Sequence, residues 1–236
     1  MGGYMFRSLI FILFGMVWTL TAHAGIQFSP IQVYLKDPTR QKSTTVVVQS
    51  TDISTSKIFE VSAFKWSQNK MGEDILSEDE SILFNPKIFE LKPDSKQLVR
   101  IGFTQLPVSE NEGTWRVIFK EVTPITDNTA INFLFNFSLP LFVGHQQDPK
   151  LSVNMKKADV SQTLYVENMG TSHVKLTELQ VVDAKGVTMT KMALSQYVLG
   201  GNTIEIPLVD LKTNGDMKIK IKTEDDEKYF EFMIKG

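Results

Sequence analysis

Cysteine is absent from the 236 residues of this chain, so no disulfide stabilises its fold. Histidine is scarce, with three residues in all, whereas a metal-binding sandwich enzyme needs several histidine or cysteine ligands at one site. The sequence contains no serine-nucleophile elbow, phosphate-binding glycine loop or His-Glu-x-x-His motif. We therefore predict no catalytic residue, no metal site, no cofactor and no small-molecule substrate.

A strong excess of one charge is also lacking. The chain has 25 basic and 27 acidic residues, which gives a formal net charge of −2. Binding to nucleic acid or to an anionic membrane surface is favoured by a large positive excess, so neither partner is expected. An acidic stretch over residues 73–80 is interpreted as a loop, and His145 and His173 are interpreted as solvated linker or turn residues.

Long apolar runs are limited to residues 8–21, which follow the positive charge of Arg7. The next residues, Ala22-His23-Ala24, have the small-x-small pattern of a signal-peptide cleavage site. We predict that residues 1–24 are a removed signal peptide, since a retained anchor needs a longer apolar run. Export without cysteines fits a bacterial periplasm better than a eukaryotic secreted protein.

Sustained helical periodicity is missing as well, and β patterns fill the rest of the chain. Roughly seven strand-like segments, separated by turn residues, lie within residues 25–143 and predict an antiparallel sandwich of Greek-key type. A second β series occupies residues 151–236. The short polar segment between them, residues 144–150, is predicted to be a linker of limited freedom.

One predicted strand, over residues 130–142, has an unusually apolar face. Side chains at alternate positions of a strand share one face, and here they form a row of Ile131, Phe133, Phe135 and Phe137. Such a row either completes the protein's own core or is lent to another protein that lacks a strand. The alternation alone leaves both alternatives open.

Several segments carry motifs in a characteristic order. They are residues 82–86 with 89–93 and 97–101, residues 114–122, and residues 64–68 with 137–142. Together they resemble the PapD-like family, the periplasmic pilus chaperones of chaperone–usher systems, and the last pair resembles its archaic, Csu-type branch. Residues 164–170 and 197–203 resemble weaker markers of the second half of that family.

The resemblance implies a fold and a function. It implies two immunoglobulin-like sandwiches set at an angle, with a cleft between them. It also implies a periplasmic chaperone that binds pilus subunits by donor-strand complementation and delivers them to an outer-membrane usher. In such a protein the row Ile131, Phe133, Phe135 and Phe137 would be the donor strand's contribution to the subunit.

The sequence departs from this family at the cleft. The best-known members grip the subunit's terminal carboxylate with an arginine of the first strand and a lysine near the end of the seventh. Here Gln32 stands where the arginine is expected, and Ser138 and Pro140 leave no lysine. Replacement anchors are sought among basic residues near the predicted cleft, namely Arg116, then Arg100, then Lys120. The alternative for Arg116 is a surface ion pair with Glu121 or with an acidic residue of another strand.

Two other functional classes remain as alternatives. The second hypothesis is a secreted structural or adhesive protein of immunoglobulin-like domains, such as a pilus component. It ranks below the chaperone because the chain contains two apparently complete domains. A sandwich enzyme or carbohydrate-binding module is the third hypothesis, and no constellation of residues supports it.

Overall fold

The computed structural model describes residues 25–105, 109–122, 134–157, 162–208, 211 and 215–235. Within these residues every regular element is a β-strand, as predicted. No helix in this part of the chain is long and apolar enough to span a membrane. The predicted signal peptide, residues 1–24, lies outside the described residues, as do Ile131 and Phe133 of the apolar row.

The first ten strands form two facing sheets, here called the first sandwich. Sheet I has the strand order β1-β3-β8-β6, and sheet II has the order β2-β10-β9-β4-β5, with β7 also paired to β4. The strands are β1 (Gly25–Ser29), β2 (Val33–Leu35), β3 (Ser43–Thr51), β4 (Lys57–Gln68), β5 (Asp74–Glu78), β6 (Ile82–Asn85), β7 (Ile88–Leu91), β8 (Lys96–Phe103), β9 (Gly113–Val122) and β10 (Asn136–Val143).

The remaining seven strands form the second sandwich. One sheet has the order β11-β12-β15 and the other has the order β14-β13-β16-β17, with all neighbours antiparallel. The strands are β11 (Leu151–Lys157), β12 (Gln162–Asn168), β13 (Val174–Asp183), β14 (Thr188–Val198), β15 (Thr203–Leu208), β16 (Met217–Thr223) and β17 (Tyr229–Ile234).

The strands follow from alternation of apolar and polar residues. In β16, Met217, Ile219 and Ile221 are fully buried, and the lysines between them lie on the opposite, more open face. In β3, β-branched residues favour an extended backbone, and Val46 and Val48 alternate into the interior. Each sandwich thus encloses an apolar core of its own, one around Phe119 and the other around Leu164.

The first extended segment is divided between two sheets. β1 pairs with β3 in sheet I, and β2 pairs in parallel with the end of β10 in sheet II. Pro30 lies between them and lacks the N–H that a continuous ladder requires. Because of this change of sheet, β2 covers only the last three residues of β10.

Two expectations about individual segments were wrong, and a third is only partly covered by the described residues. The acidic stretch at residues 73–80 contains a strand, β5, because pairing with β4 outweighs its polar composition. A long strand, β14, precedes and includes Tyr197, where only a short segment was expected. For the strand expected over residues 130–142, residues 130–133 lie outside the described residues, and β10 begins at Asn136, just after Phe135.

Removing a central ring tests the packing of the first sandwich. Phe119 has no exposed surface and its ring centroid lies 4.9 Å from that of Phe28. Phe119→Ala should lower the free energy of unfolding by about 3–5 kcal/mol, because a cavity remains where the ring was. Urea unfolding followed by tryptophan fluorescence measures this, since Trp66 and Trp115 both belong to the first sandwich. Leu98→Ala is the control. Leu98 is 59% exposed, so a change above about 0.5 kcal/mol would contradict the assignment of inner and outer faces.

Candidate functional site

One strand of the first sandwich has a partly unpaired edge. β10 pairs with β9 along its whole length but with β2 only from Leu141 to Val143. The N–H of Gly144 donates to the carbonyl of Leu35, so even-numbered residues direct their backbone groups toward the β2 side. The N–H and C=O groups of Asn136 and Ser138 therefore have no strand partner among the described residues. We call residues 136–140 the free edge.

The described half of the apolar row lies at the start of this edge. Phe135 is 47% exposed and its ring stacks on that of Phe137 with centroids 5.9 Å apart. Phe137 is half-buried and packs against the core of the first sandwich, with its ring centroid 4.7 Å from that of Phe28. The row is continuous with Leu139 and Leu141, which are buried in that core. Over the described residues the row therefore passes from an exposed ring at Phe135 to buried side chains at Leu139 and Leu141.

A buried carboxylate fixes the start of the free edge. The backbone N–H of Glu121 donates to the carbonyl of Phe135 (2.8 Å), and the N–H of Phe135 donates to Glu121 Oε2 (3.2 Å). Glu121 Oε1 accepts from Lys57 Nζ at 2.6 Å, so the buried charge is neutralised. Glu121 therefore does not pair with Arg116, and of the two ion-pair partners considered for that arginine an acid of another strand remains. Glu121 instead holds the backbone beside the exposed ring of Phe135.

The C-terminal end of β10 contacts the second sandwich through aromatic side chains. Phe142 and Trp66 of sheet II are buried together with Leu199 of the second sandwich, and Tyr34 and Tyr197 pack around them. We call these five residues the cleft cluster. Trp66 meets the ring of Tyr197 edge-on, at 5.4 Å between centroids. Burial of apolar surface between the two sandwiches stabilises their contact.

Hydrogen bonds flank the cleft cluster on one side. Gln68 donates from Nε2 to the carbonyl of Tyr197 and accepts the N–H of Leu199 at Oε1, both at 2.9 Å. The side-chain amide thus pairs with the backbone of the second sandwich as a neighbouring strand would. Two bonds from one side chain fix both the distance and the rotation at this point.

A buried histidine flanks the cluster on the other side. Glu112 Oε2 accepts the backbone N–H of His173 at 2.9 Å and lies 2.7 Å from its Nδ1, and both side chains are 2% exposed. The imidazole stacks on Phe142 with ring centroids 3.5 Å apart. The expectation that His173 is a solvated turn residue was therefore wrong. Its ring joins the two sandwiches, because its partner Glu112 precedes β9.

Arg116 lies in the cleft, next to the cleft cluster. Its guanidinium carbon lies 3.7 Å from the centre of the Trp66 ring and 5.5 Å from that of Tyr197. One guanidinium nitrogen lies 3.4 Å from Asp74 Oδ2, and the side chain is 17% exposed. Burial lowers the pKa of Arg116, and Asp74 opposes that effect, but arginine stays charged at any physiological pH.

The other two predicted anchors lie elsewhere. Arg100 belongs to β8 of sheet I and donates to Ser43 Oγ at 2.9 Å. Lys120 lies on β9 with Arg116, but it is exposed and opposite Asn136, about 13 Å further from the second sandwich. Of the three candidates, only Arg116 touches the second sandwich.

A second cation of the cleft was missed by the sequence analysis. Lys175 of β13 lies 5.5 Å from the Tyr197 ring, on which Arg116 also lies, and donates to Glu224 Oε1 at 2.8 Å. Gln32, noted earlier only because it is not an arginine, donates to Glu224 Oε2 at 2.5 Å. Burial would raise the pKa of Glu224, but the hydrogen bonds from Gln32 and Lys175 outweigh it and lower that pKa. Lys175 and Glu224 are 49 residues apart, and no sequence pattern links them.

Chemical groups for metal binding are not gathered in this structure. No group of three or more histidine, aspartate or glutamate side chains within the described residues could hold a metal ion. The site therefore consists of a free strand edge, an exposed aromatic ring and a cleft with paired charges. Such an arrangement can add an extended strand and bind an anion.

Comparison with known families agrees with the motifs. The family model described as "Pili and flagellar-assembly chaperone, PapD N-terminal domain" matches residues 25–146, which is more than half of the chain. This match confirms the predicted family. A search among curated protein sequences finds no significant match.

Three solved structures share the fold at low sequence identity. The first is from the CsuC–CsuE chaperone–tip adhesion subunit pre-assembly complex of archaic chaperone-usher Csu pili of Acinetobacter baumannii, with a TM-score of 0.67 and 21% identity over 89% of this chain and 98% of that chain. The second is from the Salmonella enterica SafA pilin–SafB chaperone complex (0.57; 17%; 92% and 98%). The third is the E. coli chaperone DraB (0.59; 16%; 90% and 97%). These likenesses confirm the fold of two immunoglobulin-like sandwiches.

The charge contacts of the cleft predict a pH dependence. A carboxyl group whose pKa is lowered in the folded state stabilises that state above its ordinary pKa, about 4.3 for glutamate, and the effect is lost as the pH falls through the lowered value. The Glu224 contacts should therefore persist below pH 4.3 and break only in stronger acid. Carbon-13 NMR titration of the Glu224 carboxyl measures this pKa. Gln32→Ala removes one donor and should raise it. A carboxyl that titrates at or above the ordinary value would contradict the geometry.

Proposed function

We infer that this chain, which belongs to the pili and flagellar-assembly chaperone family with a PapD N-terminal domain, acts as a periplasmic chaperone for pilus subunits. Solved relatives in complex with the pilin SafA and the tip subunit CsuE support a subunit as the partner. The subunit is then delivered to an outer-membrane usher. Binding and release of a folded partner require no covalent step, so we propose that the protein is not an enzyme.

The free edge of β10 is the observation that carries this proposal. A subunit that lacks its last strand has an open core and unpaired strand edges, and such surfaces aggregate. Within residues 136–140, Asn136 and Ser138 offer their backbone N–H and C=O groups to one of those edges. Strand donation by a chaperone to a pilin is an established example of this mode of recognition.

The side chains for the subunit's open core come from the apolar row. We propose that Ile131, Phe133, Phe135 and Phe137 are the donor residues, with the exposed end of the row entering the subunit furthest. Full burial of one such side chain contributes about 1.5–3 kcal/mol, so four contribute about 6–12 kcal/mol before the costs of association. Phe137 already packs against its own core, which places its contribution at the low end.

We propose Arg116 as the anchor for the subunit's terminal carboxylate. Its position beside Tyr197 of the second sandwich supports this, because the family's anchor lies in the cleft. An arginine can donate two parallel N–H bonds to one carboxylate, which would fix the register of the bound strand. Arg100 and Lys120 are the weaker candidates, since neither lies at the cleft.

The outline of the chain follows from the same proposal. Residues 1–24 are a signal peptide that directs export to the periplasm, residues 25–143 and 151–236 are the two domains, and residues 144–150 link them. The linker carries contacts of its own, because Gln147 donates its backbone N–H to Ser172 Oγ of the second sandwich at 3.0 Å. The alternative of a structural or adhesive pilus component is not favoured by the family match.

Charged substitutions in the row test the strand donation. Phe135→Asp, alone and with Phe133→Asp, should weaken capture of a pilus subunit, by at least about ten-fold for each ring that is lost from the subunit's core. The measurement is co-purification of the exported chaperone with a co-expressed subunit that lacks its last strand, followed by titration of the complex. Leu98→Asp is the matched control, since Leu98 is equally apolar and 59% exposed but lies on sheet I. Subunit capture that survives both row substitutions would refute the mechanism.

A further inference from the structure

Arg116 already contacts a carboxylate of its own chain. Asp74, the first residue of β5, lies 3.4 Å from one guanidinium nitrogen through Oδ2, and Gln68 Nε2 lies 3.2 Å from its Oδ1. Both contacts are longer than the 2.7–2.9 Å typical of charge-assisted hydrogen bonds. The Asp74 side chain is 44% exposed, and all of β5 is exposed. This carboxylate is therefore held loosely, on a strand that has solvent on its outer side.

The second charge pair of the cleft is held much more firmly. Glu224 accepts a hydrogen bond from Gln32 at 2.5 Å and one from Lys175 at 2.8 Å, and each donor contacts a different oxygen of the carboxylate. Glu224 therefore keeps its partners, and it neutralises Lys175 in the same cleft. The difference between the two pairs marks Arg116 as the cation whose partner can be exchanged.

Among the described residues, the guanidinium also has donors with no hydrogen-bond acceptor. It carries five N–H groups in a planar fork, and Asp74 meets only one of its nitrogens. The guanidinium carbon lies over the Trp66 ring, 3.7 Å from its centre, and this contact restricts the movement of the remaining N–H groups. A carboxylate that binds two nitrogens side by side would therefore hold better than Asp74 does.

We propose that Asp74 is a resident carboxylate that neutralises Arg116 in the empty chaperone and is exchanged for the terminal carboxylate of the bound subunit. This inference rests on the proposed function, and it explains how Arg116 is occupied when no subunit is bound. Without Asp74, a half-buried arginine would stay unpaired and attract any anion. With Asp74 in place, a free anion does not displace it. The terminal carboxylate of a subunit does, because the rest of its strand contributes additional binding free energy.

Replacing Asp74 with its neutral isostere tests the exchange. Asp74→Asn keeps an acceptor for Gln68 and removes only the competing charge. Its matched control is Glu78→Gln, which removes the same charge from the same exposed strand without touching Arg116. The probe is a nonapeptide of alternating valine and threonine with a free terminal carboxylate, compared with the same peptide carrying a terminal amide. Binding to the full exported chain is followed through the Arg116 Nε–H NMR signal.

The expected result is selective tightening. Because a partly exposed ion pair is worth little, Asp74→Asn should bind the carboxylate peptide about two- to five-fold more tightly than the wild type, and Glu78→Gln should not. The amide peptide should bind all three proteins alike. Equal binding of the carboxylate peptide to wild type and Asp74→Asn, or no binding to Asp74→Asn, would overturn the exchange.

A third variant separates this inference from the proposed function. Arg116→Gln should abolish the preference for carboxylate over amide. If the preference persists in Arg116→Gln, the anchor itself is misassigned and the exchange falls with it. If the preference is lost but Asp74→Asn binds as the wild type does, the anchor stands and only the role of Asp74 is wrong. Subunit capture through Phe135 is measured separately and does not depend on either result.

Discussion

An unpaired strand edge favours aggregation, and in the described part of the first sandwich β10 keeps one over residues 136–140. Many proteins cover or charge such an edge. Here the change of sheet at Pro30 covers only the last three residues of β10 and leaves the rest open. Two hydrogen bonds between Glu121 and the backbone of Phe135 fix the position of the chain just before that edge. Because this edge is already ordered in the free protein, less conformational entropy is lost when a partner strand binds to it.

The second sandwich is fixed against the first at the C-terminal end of β10, beyond the free edge. Gln68 on one side and the Glu112–His173 pair on the other connect it to sheet II, with the cleft cluster between them. Buried polar groups that are fully hydrogen-bonded specify one arrangement, whereas apolar contact alone allows sliding. The cations Arg116 and Lys175 therefore face the Tyr197 ring from fixed positions. A strand lying along β10 would reach them only in one register.

The sequence predicts the regular parts of this molecule well and the contacts between them poorly. Alternation in β3 and β16 is strong, because each strand has one face in a core, and the family model matches residues 25–146, where most of the motifs lie. β5 escaped notice because its residues are polar and its strand character comes from pairing with β4. His173 was interpreted as a solvated residue and Lys175 was not singled out, because their partners Glu112 and Glu224 are distant in sequence. Arg116 was found because antiparallel neighbours share an end of the sheet, but its partner Asp74 was not.

The most direct measurement is amide hydrogen exchange of Asn136 and Ser138 in the free chaperone and in its complex with a subunit. The account predicts fast exchange in the free protein, because these N–H groups have no strand partner among the residues that the structure describes, and strong protection when the subunit's strand pairs with them. Exchange that is already slow in the free protein, or that does not change in a stable complex, would contradict the free edge as the binding surface.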